Sequence, residues 1–153
     1  YMEKNKISLS EIKELIPHRE PFLYINELKN IQKLNKAIGI NTFREKDSFF
    51  TGHFPGHPVV PGVILVEMMA QTAAALIAYS LRDETFDKIV YLMNIESSKF
   101  RKPVFPNETI EANVVAMRSK GRVWRFEGTS FNEKKELVCN SKWSAMIMDR
   151  NNE

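Results

Sequence analysis

The pattern of apolar and polar positions predicts one long helix with strands on either side of it. From Val63 to Tyr79 neither proline nor glycine interrupts a run dominated by Leu, Met, Ala and Gln, which is a composition typical of helix. Pro61 and Gly62 precede this run, where a helix can begin, so the pattern predicts a central helix over about residues 62–81. Apolar residues cover every side of it, which predicts a helix buried all round.

The other segments predict a short N-terminal helix and several strands. Ser8 and Glu11 have the spacing of a capping box, which predicts a helix over about residues 9–16. Strands are predicted over residues 22–28, 36–43, 88–93, 110–117, 123–131 and 137–148. One helix followed by a meander of strands indicates an α+β fold, with an antiparallel sheet wrapped around the helix, in a single domain over residues 1–153.

Composition places the chain among soluble globular proteins. Of its 153 residues 43% are hydrophobic and 27% charged, and no secretory segment is visible in the first twenty. Cys139 is the only cysteine, which excludes an internal disulfide and fits a reducing cytoplasm. The central helix is about as long as a membrane span, but Glu67 and Gln71 within it favour a core helix instead.

Glu67 and Gln71 are the polar exceptions on the apolar helix, and their spacing places them on one face. Because a lone buried carboxylate is costly, Glu67 needs either a partner or a function. A core glutamate satisfied by Gln71 or by a backbone donor is one interpretation. The loop before the helix favours a second one, in which Glu67 takes part in chemistry.

That loop reads GHFPGHP from Gly52 to Pro58, and its glycines and prolines can hold His53 in a set direction. At its far end, the first-turn N–H groups around Gly62 and Val63 have no helical acceptors and can stabilise negative charge. An imidazole, a carboxyl group kept uncharged by burial and a donor site are the parts needed to move a proton next to a carbonyl.

Two other histidines receive simpler interpretations. His57 invites a metal site with His53 and Glu67, but the prolines around it keep the segment out of helix, so no metal site is predicted. His18, in the PHREP stretch, is interpreted as a structural turn residue.

The stretch GHFPGHPVVPGVILVEMMAQ resembles the signature of the beta-hydroxyacyl-acyl carrier protein dehydratases of the FabZ type. IPHREPFLYIN, at residues 16–26, and KFRKPVFPNETIE, at residues 99–111, extend the resemblance over nearly the whole chain. FabA-type relatives carry Asp at the helix position that Glu67 occupies here, so Glu67 favours the FabZ type. The sequence departs from the usual pattern at Glu20, Asn26 and Asn107, and matches it at His53 and Glu67, the pair that the resemblance implies to be catalytic.

The resemblance implies a hot-dog fold and the dehydration of a 3-hydroxyacyl chain carried on phosphopantetheine. His53 would remove the C2 proton and Glu67 would protonate the departing hydroxyl, with a backbone carbonyl near Val59 setting the His53 tautomer. No cofactor is implied, because the thioester supplies the acidity. The implied substrate-binding residues are Gly62, Val63, Gln71 and Phe54, with Gln71 orienting Glu67 or the water formed.

The resemblance also implies an assembly in which two protomers join their sheets, and often three such dimers form a hexamer. The active site would lie at the interface, where His53 of one chain works with Glu67 of the other. A lone sheet around this helix would leave an edge strand open, which independently favours a dimer.

The net charge of +3 and the pI near 9.0 bear on partners. A solvated basic face is one interpretation, and no nucleic-acid-binding motif accompanies the charge. An acidic acyl carrier protein fits better, and its expected docking residues are Lys99, Arg101 and Lys102.

Two other functions remain open at this stage. A hot-dog thioesterase would use a carboxylate to activate water, and a non-catalytic hot-dog protein would only bind acyl chains or support a partner subunit. Neither needs His53 and Glu67 together.

Overall fold

The computed structural model describes residues 5–82 and 88–150, and in it one antiparallel sheet wraps a central helix. The helices are α1 (Leu9–Leu15), α2 (Gly62–Ser80) and a 3-10 helix at Ser48–Thr51. The strands are β1 (Lys6–Ser8), β2 (Glu27–Gln32), β3 (Lys36–Thr42), β4 (Lys88–Phe100), β5 (Thr109–Lys120), β6 (Val123–Phe131) and β7 (Leu137–Asp149). Their order in the sheet is β1-β2-β3-β5-β6-β7-β4, which confirms the predicted wrapped-sheet fold.

Helix α2 forms the centre of the core, as its all-round apolar composition predicts. Every residue from Gln71 to Tyr79 is buried, whereas Val63 at the start of the helix is 71% exposed. Within the described residues α2 is the helix long and apolar enough to cross a membrane, but 72% of that apolar window is buried inside the protein. It is therefore a core helix.

The helix packs closely on the sheet because β3 presents small residues to it. Ala37 and Gly39 face the core, while Ile38 and Ile40, which alternate with them, are half-buried on the other face. A Cβ atom at Gly39 would lie 2.1 Å from Thr72 Oγ1 on α2, so only glycine leaves room for this approach.

The predicted strand over residues 22–28 is wrong for most of its length, because β2 begins only at Glu27. The side chain of Gln71 on α2 forms hydrogen bonds with backbone groups that would otherwise pair with a neighbouring strand. Its Oε1 accepts the Tyr24 N–H at 2.8 Å, and its Nε2 donates to the Phe22 carbonyl at 3.1 Å. A side chain from the helix therefore replaces a neighbouring strand over this segment.

The remaining boundaries agree with the prediction to within a few residues, with three exceptions. Strand β4 runs seven residues beyond the predicted end at residue 93, to Phe100, and β1 and the 3-10 helix were not predicted. Parts of the predicted domain over residues 1–153 lie outside the described residues.

Strand β4 forms an open edge of the sheet. In the part of the chain that the structure describes it pairs with β7 alone, so its other edge has no strand beside it. Large apolar side chains on β4 are 42% to 52% exposed: Tyr91, Leu92, Met93, Ile95 and Phe100. An edge strand with this much exposed apolar surface is a ready place for another chain to pair.

Candidate active site

His53 is held by the loop between the 3-10 helix and α2. Its N–H donates to the Phe49 carbonyl at 3.1 Å, and its own carbonyl accepts the Val59 N–H at 2.8 Å. Its ring Nδ1 lies 2.8 Å from the Val59 carbonyl oxygen. Because a carbonyl can only accept, Nδ1 carries a proton, and Nε2 is the nitrogen that lacks one in the neutral ring. The predicted contact with a carbonyl near Val59 is confirmed, and Nε2 is the nitrogen available as a base.

A cavity of about 430 Å³ adjoins His53 and the first turn of α2. Among its lining residues are His53, Gly62, Val63, Phe100, Arg101 and Lys102. A Cβ at Gly62 would lie 2.8 Å from Phe100 Cε1, so the absence of a side chain there lets the ring approach the backbone. Two larger cavities, of about 510 and 490 Å³, lie elsewhere, and neither His53 nor Glu67 lines them.

Glu67 points away from solvent on the second turn of α2, with a side chain 19% exposed. Burial raises the pKa of its carboxyl group, and the hydrogen bond from Gln71 opposes that shift with a smaller effect. The Gln71 Nε2 donates to Glu67 Oε2 at 2.9 Å. Burial therefore favours the protonated carboxyl that a general acid requires.

His18 lies beside Glu67, which sequence reasoning did not foresee. Its Nε2 is 3.8 Å from Glu67 Oε2, and its side chain is 21% exposed. Burial lowers the pKa of His18, and the neighbouring Arg19 charge lowers it further. The sequence signal that could have placed His18 near the site was its position in the IPHREPFLYIN segment, one of the three segments that carry the family resemblance.

The structure does not bring all the predicted site residues together. Within the described residues of one chain, no hydrogen bond or ion pair joins His53 to Glu67. Phe54 stacks on the His53 ring at 4.0 Å between centroids, yet it is 51% exposed. Lys99 is exposed and does not line the cavity.

The two basic residues that line the cavity both have neighbours. Arg101 Nε donates to Asn140 Oδ1 at 3.0 Å, and Lys102 Nζ forms an ion pair with Glu136 Oε2 at 2.6 Å. The charge of Lys102 is therefore partly neutralised by Glu136 of the same chain.

The other reactive side chains have surroundings of a different kind. His57 makes an edge contact with the Phe105 ring. Across residues 5–82 and 88–150, no group of three His, Cys, Asp or Glu side chains could hold a metal ion. Cys139 is buried, and burial raises the pKa of its thiol to about 11, so it is not poised as a nucleophile.

Comparisons with known proteins agree with this fold and show the family. The FabA-like domain family matches residues 16–141. A 3-hydroxyacyl-[acyl-carrier-protein] dehydratase FabZ of Acidiphilium cryptum is 40% identical over 148 residues, which cover 97% of this chain and 89% of the relative. The FabZ of Rickettsia canadensis is 46% identical over 145 residues, covering 94% and 99% respectively.

A solved structure, the dehydratase heterocomplex ApeI:P from Xenorhabdus doucetiae, has a TM-score of 0.76 over 91% of both chains at 14% identity. That likeness concerns the fold alone and confirms the hot-dog architecture. The fold therefore defines the chain as a hot-dog protein. The chain belongs to the FabZ-type 3-hydroxyacyl-[acyl-carrier-protein] dehydratases of the FabA-like family, and it is therefore an enzyme of the hydro-lyase class.

Proposed function

We propose that this chain converts (3R)-3-hydroxyacyl-acyl carrier protein to the trans-2-enoyl form in type II fatty acid synthesis. Its relatives are named for 3-hydroxyacyl-[acyl-carrier-protein] dehydration. The observation that carries the proposal is the state of the two reactive groups. His53 bonds the Val59 carbonyl through Nδ1, which leaves Nε2 for a substrate in the adjoining cavity at the N-terminus of α2, and burial favours a protonated Glu67.

The reaction follows from these two states. His53 Nε2 takes the C2 proton of the substrate, and the electrons of that C–H bond form the C2=C3 double bond. The C3–O bond breaks, and the Glu67 proton passes to the departing hydroxyl, which leaves as water. The thioester oxygen would accept the Gly62 N–H while negative charge develops on it, a contact typically worth about 3 to 4 kcal/mol per donor.

We propose that the two catalytic groups of each site come from different protomers. His53 and Glu67 have separate partners within one chain. Phe100 belongs both to the exposed β4 edge and to the cavity beside His53, so a chain added at that edge would also cover the cavity. A dimer through β4, with three dimers forming a hexamer, is the proposed assembly.

The acidic carrier protein is proposed to dock where Arg101 and Lys102 border the cavity, with Lys99 nearby in the chain. Because Lys102 already pairs with Glu136, Lys99 and Arg101 should contribute more to docking. Added salt should then slow turnover of the carrier-bound substrate more than turnover of a small thioester analogue. Equal salt effects on the two substrates would contradict this docking site.

The proposed carrier-protein partner also implies a cytoplasmic location, which we propose for this chain.

The direct test is hydration of a 2-enoyl thioester, followed by loss of its ultraviolet absorbance. The native protein should turn over, and Glu67→Gln should lose nearly all activity while it remains folded. Glu14→Gln, at an exposed site, is the matched control and should keep native activity. Release of free thiol would show a thioesterase instead, and binding without turnover would show a non-catalytic acyl-binding protein.

A further inference from the structure

We propose that His18 is a positioning residue for Glu67, and that its Nε2–H supports the Glu67 carboxylate once the proton has passed to the leaving hydroxyl. This inference rests on the proposed role of Glu67 as the acid. Its first support is the distance of 3.8 Å between His18 Nε2 and Glu67 Oε2. Catalytic hydrogen bonds are often long before substrate binds and shorten in the complex.

The backbone around His18 is held in place by Arg19. The guanidinium Nη1 donates to the His18 carbonyl at 2.7 Å and to the Ile16 carbonyl at 3.0 Å. Its Nη2 donates to the Lys13 carbonyl in the last turn of α1 at 2.8 Å. Three hydrogen bonds from one side chain therefore tie this segment to α1 and limit how far the imidazole can move from the carboxyl.

The segment is held from the other side by α2. Gln71 bonds the backbone of Phe22 and Tyr24 and also donates to Glu67. The Glu67 Oε2 atom thus has the Gln71 Nε2, one turn further along its own helix, at 2.9 Å and the His18 Nε2, on the segment before β2, at 3.8 Å. Two donors that approach from different elements restrict the orientation of the carboxyl group more than either does alone.

The imidazole of His18 has its proton on the nitrogen that faces Glu67. The lowered pKa keeps the ring neutral, so it carries a single N–H. Nδ1 is buried, and among the described residues it has no hydrogen-bond partner. Since an orphaned buried N–H donor is rarer in proteins than an under-used acceptor, the proton belongs on Nε2.

A neutral donor suits a general acid better than a cation would. A charged imidazolium at this distance would ionise Glu67 before the reaction and remove the proton it must deliver. A neutral N–H bonds the carboxylate more strongly than the carboxylic acid, because hydrogen bonds to charged groups are the stronger ones. His18 would therefore favour the state that follows proton donation, and interactions of that kind accelerate the reaction.

The test compares two amides at position 18. The amide nitrogen of His18→Gln reaches about where Nε2 lies, whereas that of His18→Asn reaches only the position of Nδ1. We expect His18→Asn to lower kcat for enoyl thioester hydration by about 10- to 100-fold, as the loss of a hydrogen bond to a charged group implies. KM for a short thioester should change little, and His18→Gln should retain most of the native kcat.

A structural role would give a different result. If both variants lose activity equally, or neither loses any, the positioning role is wrong. Urea midpoints and oligomeric mass of both variants show whether His18→Asn is still folded, and a loss of kcat that follows a loss of structure would also count against the proposal.

A second measurement does not need turnover. The protein has three histidines, and the ring signals of His18 in ¹⁵N-histidine-labelled protein are those that His18→Gln removes. We expect a neutral ring protonated at Nε2, with an Nε2 signal that shifts in Glu67→Gln. A ring protonated at Nδ1, or a signal indifferent to Glu67→Gln, would overturn the inference. If the native protein fails to hydrate the thioester while these signals are as expected, the proposed function fails and the contact of His18 with Glu67 stands.

Discussion

At the scale of single residues, the burial of Glu67 both raises the pKa of its carboxyl group and lowers the stability of the folded protein at neutral pH. The same desolvation that raises the pKa of the carboxyl group makes its ionised form unfavourable in the folded protein. Gln71 offsets part of this with one hydrogen bond. We therefore expect the protonated Glu67 carboxyl group to suit its proposed role as the acid while it makes the folded protein less stable.

That cost predicts a pH-dependent stability difference between the native protein and Glu67→Gln. Below the ordinary carboxyl pKa of 4.5 both folded and unfolded states are protonated, and Glu67 costs nothing. As pH rises above it, the unfolded chain ionises first, so native stability falls until the raised folded pKa is reached. Glu67→Gln should therefore have the higher urea midpoint at pH 7, with the advantage shrinking toward pH 4. A constant difference at both pH values would contradict this account.

Gln71→Leu tests how much the amide of this residue contributes to the fold. It would leave the buried Tyr24 N–H and the Phe22 carbonyl without their partner. We expect a loss of about 2 to 4 kcal/mol in the free energy of unfolding, since each unsatisfied buried group costs about 1 to 3 kcal/mol. Urea denaturation measures it. Gln32→Leu, at an exposed position of β2, should change that free energy by less than about 0.5 kcal/mol.

At the scale of elements, the distance between α2 and β3 depends on one glycine. Thr72 Oγ1 is fixed by its hydrogen bond to the Met68 carbonyl at 2.8 Å, so it cannot turn away from an added Cβ at Gly39 without losing that bond. The small core-facing residues of β3 are therefore as important to this packing as the apolar composition of the helix.

Gly39→Ala should destabilise the protein by about 1 to 3 kcal/mol, as overpacking of a core usually does. Adding Thr72→Ala removes the atoms nearest to the new methyl group and should recover part of the loss in a double-mutant cycle. Gly52→Ala is the matched control, because nothing lies within 4 Å of a Cβ there. Additive losses at positions 39 and 72 would show that the two residues do not meet.

At the scale of the whole molecule, the proposed dimer would account both for the open β4 edge and for the lack of a contact between His53 and Glu67 within one chain. A partner strand would satisfy the unpaired backbone of β4 and cover its apolar side chains. A protein with charged substitutions at the β4 edge should accordingly lose both its dimeric assembly and its activity.

Leu92→Lys combined with Ile95→Lys places two charges on that edge and should shift the protein toward a single chain of 17.7 kDa. Light scattering during size-exclusion chromatography measures the mass. Met117→Lys puts the same charge on an equally exposed position of β5 and should leave the mass unchanged. A native mass of one chain would refute the proposed dimer directly.

Mixing two inactive variants tests whether His53 and Glu67 act across the interface. In a symmetric dimer of His53→Ala with Glu67→Gln, one of the two sites regains both native residues. Random pairing after co-refolding should restore about a quarter of native activity, since about half the dimers are mixed and each has one intact site. If both residues of a site came from the same chain, the mixture would stay inactive.

Much of the fold could be predicted because its signals are local. Proline and glycine before α2, and turns between the later strands, set element boundaries that the structure keeps to within a few residues. The failures are also physical. Residues 22–26 carry strand-like side chains, but a glutamine 47 residues further along the chain takes the Tyr24 N–H.

Of the site, the sequence by itself determined the types of group and the contact of Glu67 with Gln71, which are one helical turn apart, while the family resemblance implied the contact of His53 with a carbonyl near Val59. Only the tertiary structure decided that His18 faces Glu67 and that Arg101 lines the cavity beside His53. Those contacts join positions about 50 residues apart, and no local pattern encodes a distance that depends on how a sheet wraps a helix.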